Sequence, residues 1–419
     1  MRVIIIGAGL LGTTTAWFLA RQGHEVMVLE RRDNVARETS FANGGIVHAG
    51  YAAPWNSPAV PAQLLRWAGR ADAPMSMRLS AFPGLLRWGL AFLRNSSRSR
   101  FERSLRANAR LAAYSLEQLR ALRARQGLRY DASTRGALGI FPDPSSLDAA
   151  AREASLLRES GIRFEQLDRA QLLALEPALA HTDLPVAGAL HYPDDESGDA
   201  LRFTEEMAAL ARAEGVAFGF DTAVTALVSE RGRITAVRTG RDTWHCDACV
   251  LAAGSHSAAL ARPLGLRLPI YPVKGYSITV PLSDTGNAPA LPIIDSRHRM
   301  VMTRLGGSLR VAGFAEFSGF DTRLDQRRTR ALLQAAQRLF PALKEQMDTG
   351  DLSPWAGLRP MTPDGRPLLG STCVPGLFLA TGTGHLGWTF AAGAGRLVAD
   401  AVSGNRPAID PAQVSTATG

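Results

Sequence analysis

The chain is short of cysteine and has no long apolar run, and each shortage narrows what it can be. Three cysteines among 419 residues do not make the even framework of a disulfide-built secreted protein, and they point to a reducing compartment. No stretch reaches the roughly 18 unbroken apolar residues that a membrane-spanning helix needs. Residues 1–11 look superficially like a secretory leader, but their regularly spaced glycines and the lack of a small-residue cleavage site read as a buried strand and turn. No nucleic-acid-reading motif is present. The net charge of +9, with a pI near 10.1, is therefore left to an anionic membrane surface or a solvated basic face. Repeats and low-complexity tracts are absent apart from a short polar C-terminal tail. Cys246 and Cys249 form a lone C-x-x-C beside His245, with no second ligand pair; they read as ordinary strand cysteines, and no metal is expected. The expected location is cytoplasmic, with peripheral contact on the inner face of the cell membrane as an option.

What is present suits two domains: 46% of the residues are hydrophobic, and the chain is too long for one simple core. Residues 3–6 are a β-branched apolar run suited to a strand buried on both faces. Residues 10–22 have helical spacing, and residues 25–29 form a second strand that ends at Glu30. Such a strand–helix–strand unit implies a parallel sheet. Further helices are expected at 111–127, 148–160, 200–214, 326–339 and 386–402. Strands are expected at 216–220 and 376–380, as a small meander within 224–251, and across the strand-rich residues 270–316. The pieces of parallel sheet come from the start, middle and end of the chain, with antiparallel pieces inserted between them. The fold class is thus α/β: a Rossmann-type dinucleotide-binding domain with an interleaved α+β substrate domain on an antiparallel sheet. The expected division assigns 1–50, 145–165, 196–258 and 352–405 to the nucleotide domain, 51–144, 166–195 and 259–351 to the substrate or cap domain, and 406–419 to a tail.

The strongest motif is Gly7-Ala8-Gly9-Leu10-Leu11-Gly12, directly after a strand and opening a helix. Gly7 permits the tight turn, Gly9 lets the backbone approach a pyrophosphate, and Gly12 lets helix and strand pack closely. The helix start then offers free N–H groups to phosphates. Glu30, 18 residues after Gly12, can accept from an adenosine ribose and repels a 2′-phosphate, so NADP is disfavoured while FAD and NAD stay open. Two glycine loops favour FAD, which is long enough to cross a whole domain. In residues 38–45, Ser40 and Asn43 can reach phosphate or the flavin edge, and Gly44-Gly45 lets backbone pass under a flat cofactor. In residues 382–389, Gly384, His385, Leu386, Gly387, Trp388 and Thr389 precede a helix whose N–H groups can stabilise negative charge on a reduced flavin. Arg31, Val224, Ala253, Gly254 and Gly357 complete the expected cofactor set.

Several stretches, in order along essentially the whole chain, carry a resemblance. They are the opening Met1-Arg2-Val3 with its glycine motif, Gly50-Tyr51-Ala52-Ala53-Pro54-Trp55, residues 271–277, residues 355–365 and the 385–389 loop. The chain resembles the D-amino-acid oxidase superfamily of FAD-dependent amine and amino-acid oxidoreductases, and within it the bacterial D-amino acid dehydrogenases. The resemblance implies noncovalent FAD, oxidative deamination of a small D-amino acid to a 2-oxo acid and ammonia, hydride transfer from substrate Cα to the flavin, and a quinone or other electron acceptor. Its substrate-side segment makes Arg359 the first choice for clamping the carboxylate, since a guanidinium binds carboxylates bidentately. Arg304 is the second choice. Tyr276 is a candidate for touching the carboxylate or amine, and Lys274 for placing positive charge near the flavin. His48 departs from the common pattern and is a candidate for tuning substrate choice or amine protonation. Tyr51 is a candidate lid or packing residue, and His385 a candidate substrate contact. Residues 64–110 hold ten arginines against two acids, Asp72 and Glu102. Their interleaved leucines and aromatics suit either an anionic bilayer or a helical cap over the active site. The alternatives carried forward are a cyclic imino acid dehydrogenase acting on D-proline or cis-4-hydroxy-D-proline, a glycine/sarcosine-type oxidase releasing peroxide, and a noncatalytic flavoprotein subunit.

Overall fold

The computed structural model describes residues 1–67, 73–78 and 81–416. A six-stranded sheet forms around the opening strand. Its order is Leu368–Ser371, Leu377–Thr381, Ala248–Leu251, Arg2–Ile6, Glu25–Leu29, Ala217–Gly219. All pairings are parallel except that between the first two strands. The alternation of side chains along this strand explains why Val3–Ile6 is apolar without a break. Val3 and Ile5 enter a core shared with helices Leu10–Arg21, Ala200–Ala213 and Gly387–Ser403. Ile4 and Ile6 enter a second core against the antiparallel meander Val224–Glu230, Arg233–Thr239, Thr243–His245. Both faces of the strand are dry, as a central parallel strand requires. Cys246 and Cys249 pack in that second core, where burial pushes the Cys246 thiol up to about 11. No cluster of metal-ligating side chains occurs among the described residues.

The second sheet has nine strands. Its main path is Ser353–Met361, Tyr271–Pro281, Ser308–Phe317, Met300–Leu305, Ile293–Asp295, Ala137–Phe141, Gly188–Tyr192, Glu165–Asp168, and Met75–Met77 joins at Ser308–Phe317. It is mostly antiparallel, with two parallel pairings, and it has its own core under helix Gln326–Leu339. One piece expected on the nucleotide side belongs here, Ser353–Met361. Hydrogen-bond register with Tyr271–Pro281 decides that membership, and local composition does not encode it. In the other direction, Arg98–Gln126, expected in the cap, packs Leu105, Leu111 and Leu116 into the nucleotide core. The expected polar tail is also tied down. Pro411–Val414 is a short helix, Val414 is fully buried, and the Ser415 hydroxyl accepts from the Leu369 N–H at 2.9 Å.

Gly7 and Gly12 show why the opening motif needs glycine. Gly7 has φ +105°, a region that L side chains rarely adopt. A Cβ on Gly12 would lie 1.9 Å from the Gly7 carbonyl oxygen, so the helix can approach the strand end only without one. Gly12→Ala should therefore destabilise the apoprotein by about 1–3 kcal/mol through overpacking. A urea midpoint equal to the wild type's would contradict this reading of the turn.

Candidate active site

One cavity of about 840 Å³ runs between the two sheets, within the range of small-molecule and cofactor pockets. Most of the expected cofactor residues line it. Gly7, Gly9, Leu10, Leu11, Glu30 and Arg31 supply the nucleotide end; Ser40, Asn43, Gly44 and Gly45 come from the first glycine loop; Val224, Ala253 and Gly254 lie beyond them; Gly357, Gly384, His385, Leu386, Gly387, Trp388 and Thr389 form the far end. Ala8 and Gly12 act from behind the wall. The Ala8 N–H donates to a Glu30 carboxylate oxygen at 2.8 Å, and the Arg32 N–H to the other at 2.9 Å. Each oxygen keeps a lone pair for a further donor.

Two helix starts open onto this cavity. Leu10–Arg21 begins after Gly9 and Gly387–Ser403 after Leu386, and neither has a side-chain cap. Helix starts leave N–H groups without intrahelical partners, and both dipoles favour negative charge. At the first helix start the Leu10 N–H donates to the Ser40 hydroxyl at 3.3 Å. The Asn43 side chain turns back to accept from the Gly45 N–H at 2.9 Å. The second sheet clamps that loop from below: Ser277 donates to the Ala42 carbonyl, Thr303 to that of Gly44, and Arg310 to that of Asn43, at 2.7, 2.8 and 3.0 Å. Two uncapped helix ends joined by a glycine-lined cavity fit a long dinucleotide with phosphates at one end and a ring that takes up negative charge at the other.

The substrate candidates separate. Arg359, Tyr276, His48, Tyr51 and His385 line the cavity; Arg304 and Lys274 do not. Arg304 sits on Met300–Leu305, opposite Leu309. Lys274 is fully buried, with its ammonium 3.4 Å from Glu316 and donating to the Arg323 carbonyl at 3.1 Å, so its charge is spent on structure. The Tyr276 hydroxyl donates to Glu316 at 2.5 Å; burial and that carboxylate both raise its pKa. Tyr276 lines the cavity while its hydroxyl is committed to Glu316.

Arg359 is different. It donates to the Phe314 carbonyl at 2.9 Å, and among the described residues no carboxylate pairs with it. Desolvation lowers its pKa to about 10, which leaves it charged at neutral pH. Its guanidinium lies flat on Gly275, where a Cβ would meet Nη1 at 2.3 Å. A partly buried cation without an anion is costly, and at a cavity wall it points to an anion site.

His48 is buried. Its Nδ1 bonds the Asp195 carboxylate, which also accepts from the Ala49 N–H at 2.8 Å. Its backbone N–H donates to Thr389 at 3.0 Å, and Tyr51 stacks on the ring at 5.3 Å. Asp195 and Trp55 carry no local signal in the sequence. The acid run 194–196 is visible there, but no spacing rule links position 195 to position 48. Trp55 lies in the stretch 50–55 with no chemical cue of its own.

Burial, with the positive Arg359 as a secondary cause, lowers the His385 pKa to about 3. The folded protein thus keeps His385 neutral, while the unfolded chain protonates it near 6.5. Stability falls as pH drops through that window. His385→Gln should narrow the loss of melting temperature between pH 7 and pH 5; an undiminished loss would show that His385 does not contribute to it.

The comparisons with known proteins agree with this architecture. The family model described as FAD dependent oxidoreductase matches residues 2–401. A protein of Rhizorhabdus wittichii named D-amino acid dehydrogenase is 45% identical over 413 residues, covering 98% of each chain. One of Paramagnetospirillum magneticum with the same name is 47% identical over 98% of this chain and 96% of its own. Among solved structures, glycine oxidase from Geobacillus kaustophilus superposes with a TM-score of 0.75 at 25% identity, covering 99% of this chain and 98% of that one. The family match spans the glycine turn, both glycine loops and the Arg359 strand, and on this evidence the chain belongs to the FAD-dependent oxidoreductase family.

Proposed function

We propose that this protein oxidises the Cα–N bond of a small D-amino acid, with FAD bound noncovalently and electrons passed to a quinone-type acceptor. The observation that carries the substrate class is Arg359, a cation at the cavity wall without a carboxylate partner among the described residues. The curated relatives' names support the amino acid and its D configuration. The loops at Gly7–Gly12, Ser40–Gly45 and Gly384–Thr389 would hold FAD, which when bound supplies the acceptor for a hydride from the substrate Cα. The protein's own tasks are positional and electrostatic. Arg359 fixes the carboxylate with its planar fork. The uncapped start of Gly387–Ser403 offers N–H groups where negative charge develops. The engagement of His48 with Asp195 and Tyr51, and of His385 with Trp55, supports noncovalent flavin.

An anaerobic flavin-bleaching screen over D- and L-amino acids, with D-proline and cis-4-hydroxy-D-proline included, tests the reading. Bleaching by D-amino acids is expected; bleaching by L-amino acids alone would overturn the stereochemistry. Fast reoxidation by oxygen with peroxide release would shift the reading to an oxidase. Arg359→Leu should lower kcat/KM by at least about a hundredfold, the loss of a charge-assisted bidentate contact, while FAD stays bound. Lost flavin with unchanged turnover in the reconstituted fraction would remove Arg359 from substrate binding.

The basic segment supports peripheral membrane contact. No helix among the described residues is long and apolar enough to cross a membrane. Helix Phe82–Asn95 exposes Phe82, Leu86, Leu90 and Leu93 on one side (44–62% exposed), while Trp88 and Phe92 bury the other in a fourth core. Exposed Arg87, Arg94 and Arg98 flank the apolar stripe. The sequence candidates Arg70 and Asp72 lie outside the described residues. Such a face suits an anionic bilayer, where a quinone is held. Leu86→Glu with Leu90→Glu should weaken sedimentation with phosphatidylglycerol-containing vesicles by about tenfold or more. Turnover with a soluble acceptor should be unchanged, and undiminished sedimentation would discard this face as the contact.

A further inference from the structure

Trp55 occupies an unusual position. Its indole lies 5.5 Å from the Arg359 guanidinium and stacks on the His385 ring at 5.2 Å, 24° from parallel. All three line the cavity. The segment that carries Trp55 is pinned on both sides. Asn108 donates to the Ala52 carbonyl at 3.1 Å and to that of Gly365 at 3.0 Å. Asn56 donates to the Asn95 carbonyl at 2.8 Å. The indole is therefore a fixed wall, held by two helices and the 384–389 loop.

We propose that Trp55 is a positioning residue for substrate binding: it holds Arg359 at the cavity wall in place of an acidic partner, so that the cation stays available to the substrate carboxylate. This rests on the carboxylate-clamp reading of Arg359. A desolvated guanidinium needs a partner to offset its lost hydration. An acidic partner would supply it but would compete with the incoming carboxylate. An aromatic face attracts the cation without neutralising it. Gly275 below and Trp55 beside the guanidinium confine it, and the Phe314 carbonyl takes one N–H. The neutral His385 ring extends the stack without adding a second positive charge beside Arg359.

The test uses the FAD-loaded enzyme with D-alanine, D-alaninamide, which lacks the carboxylate, and propionate, which lacks the amine. Trp55→Leu should raise KM for D-alanine and Kd for propionate (read as a perturbation of the flavin spectrum) about tenfold, the weight of a desolvated cation–π contact. Trp55→Phe should restore most of both. D-Alaninamide should respond little, and Trp55→Leu in an Arg359→Gln background should cost nothing further. Equal losses for acid and amide, or no rescue by Phe, would overturn the proposal even if Arg359→Gln alone abolishes the preference for the acid. If Arg359→Gln leaves that preference intact, the carboxylate clamp itself falls, and the role of Trp55 with it.

Discussion

Two glycines face each other across the strands Tyr271–Pro281 and Ser353–Met361, and the substrate side of the cavity depends on what their missing side chains allow. Gly275 is in register with Gly357. The space a Cβ on Gly275 would fill is taken by the Arg359 guanidinium, and that on Gly357 by the Trp355 ring. Residues two apart on a strand share a face, so Trp355, Gly357 and Arg359 point to the same side. The glycine pair thus lets a long cationic side chain lie down on the sheet, where Trp55 can cover it. A side chain at either position would lift the ring or the cation off the wall.

The same economy of volume governs the nucleotide end. Gly12 brings the helix Leu10–Arg21 onto the strand end, and Glu30 stitches the turn through the Ala8 and Arg32 N–H groups. On the far side, Gly395 lets Gly387–Ser403 approach Thr14 so closely that a Cβ would lie 2.8 Å from the threonine methyl. The two helices that start at the cavity are thereby packed on each other. Their spacing is set by small residues rather than by flexible contacts, which suits a site whose task is to hold a rigid cofactor in one place.

Charge is handled in two distinct ways. Glu316 gathers Lys274, Tyr276 and, at 2.6 Å, Arg78, an ion-paired network on the second sheet. Asp195 likewise ties His48 to the backbone of Ala49. Arg359 stands apart because its partners are a carbonyl and an indole. That contrast separates Arg359 from Arg78, which pairs with a carboxylate.

Local pattern determined the strand–helix–strand opening, the glycine turn, the acid that follows it and the second glycine turn near the C-terminus. Periodicity and glycine placement act over a few residues and are written directly in the chain. The parallel sheet and its buried central strand followed, since Val3–Ile6 has apolar side chains on both faces. Only the tertiary structure decided that Ser353–Met361 joins the second sheet, that Lys274 and Arg304 stay off the cavity, that the Tyr276 hydroxyl belongs to Glu316, and that Asp195 and Trp55 belong to the site. Most of those outcomes depend on pairings across 40 to 304 residues of sequence, set by strand register and by which face of a sheet a residue occupies. A one-residue change of register would reverse them without altering any local propensity.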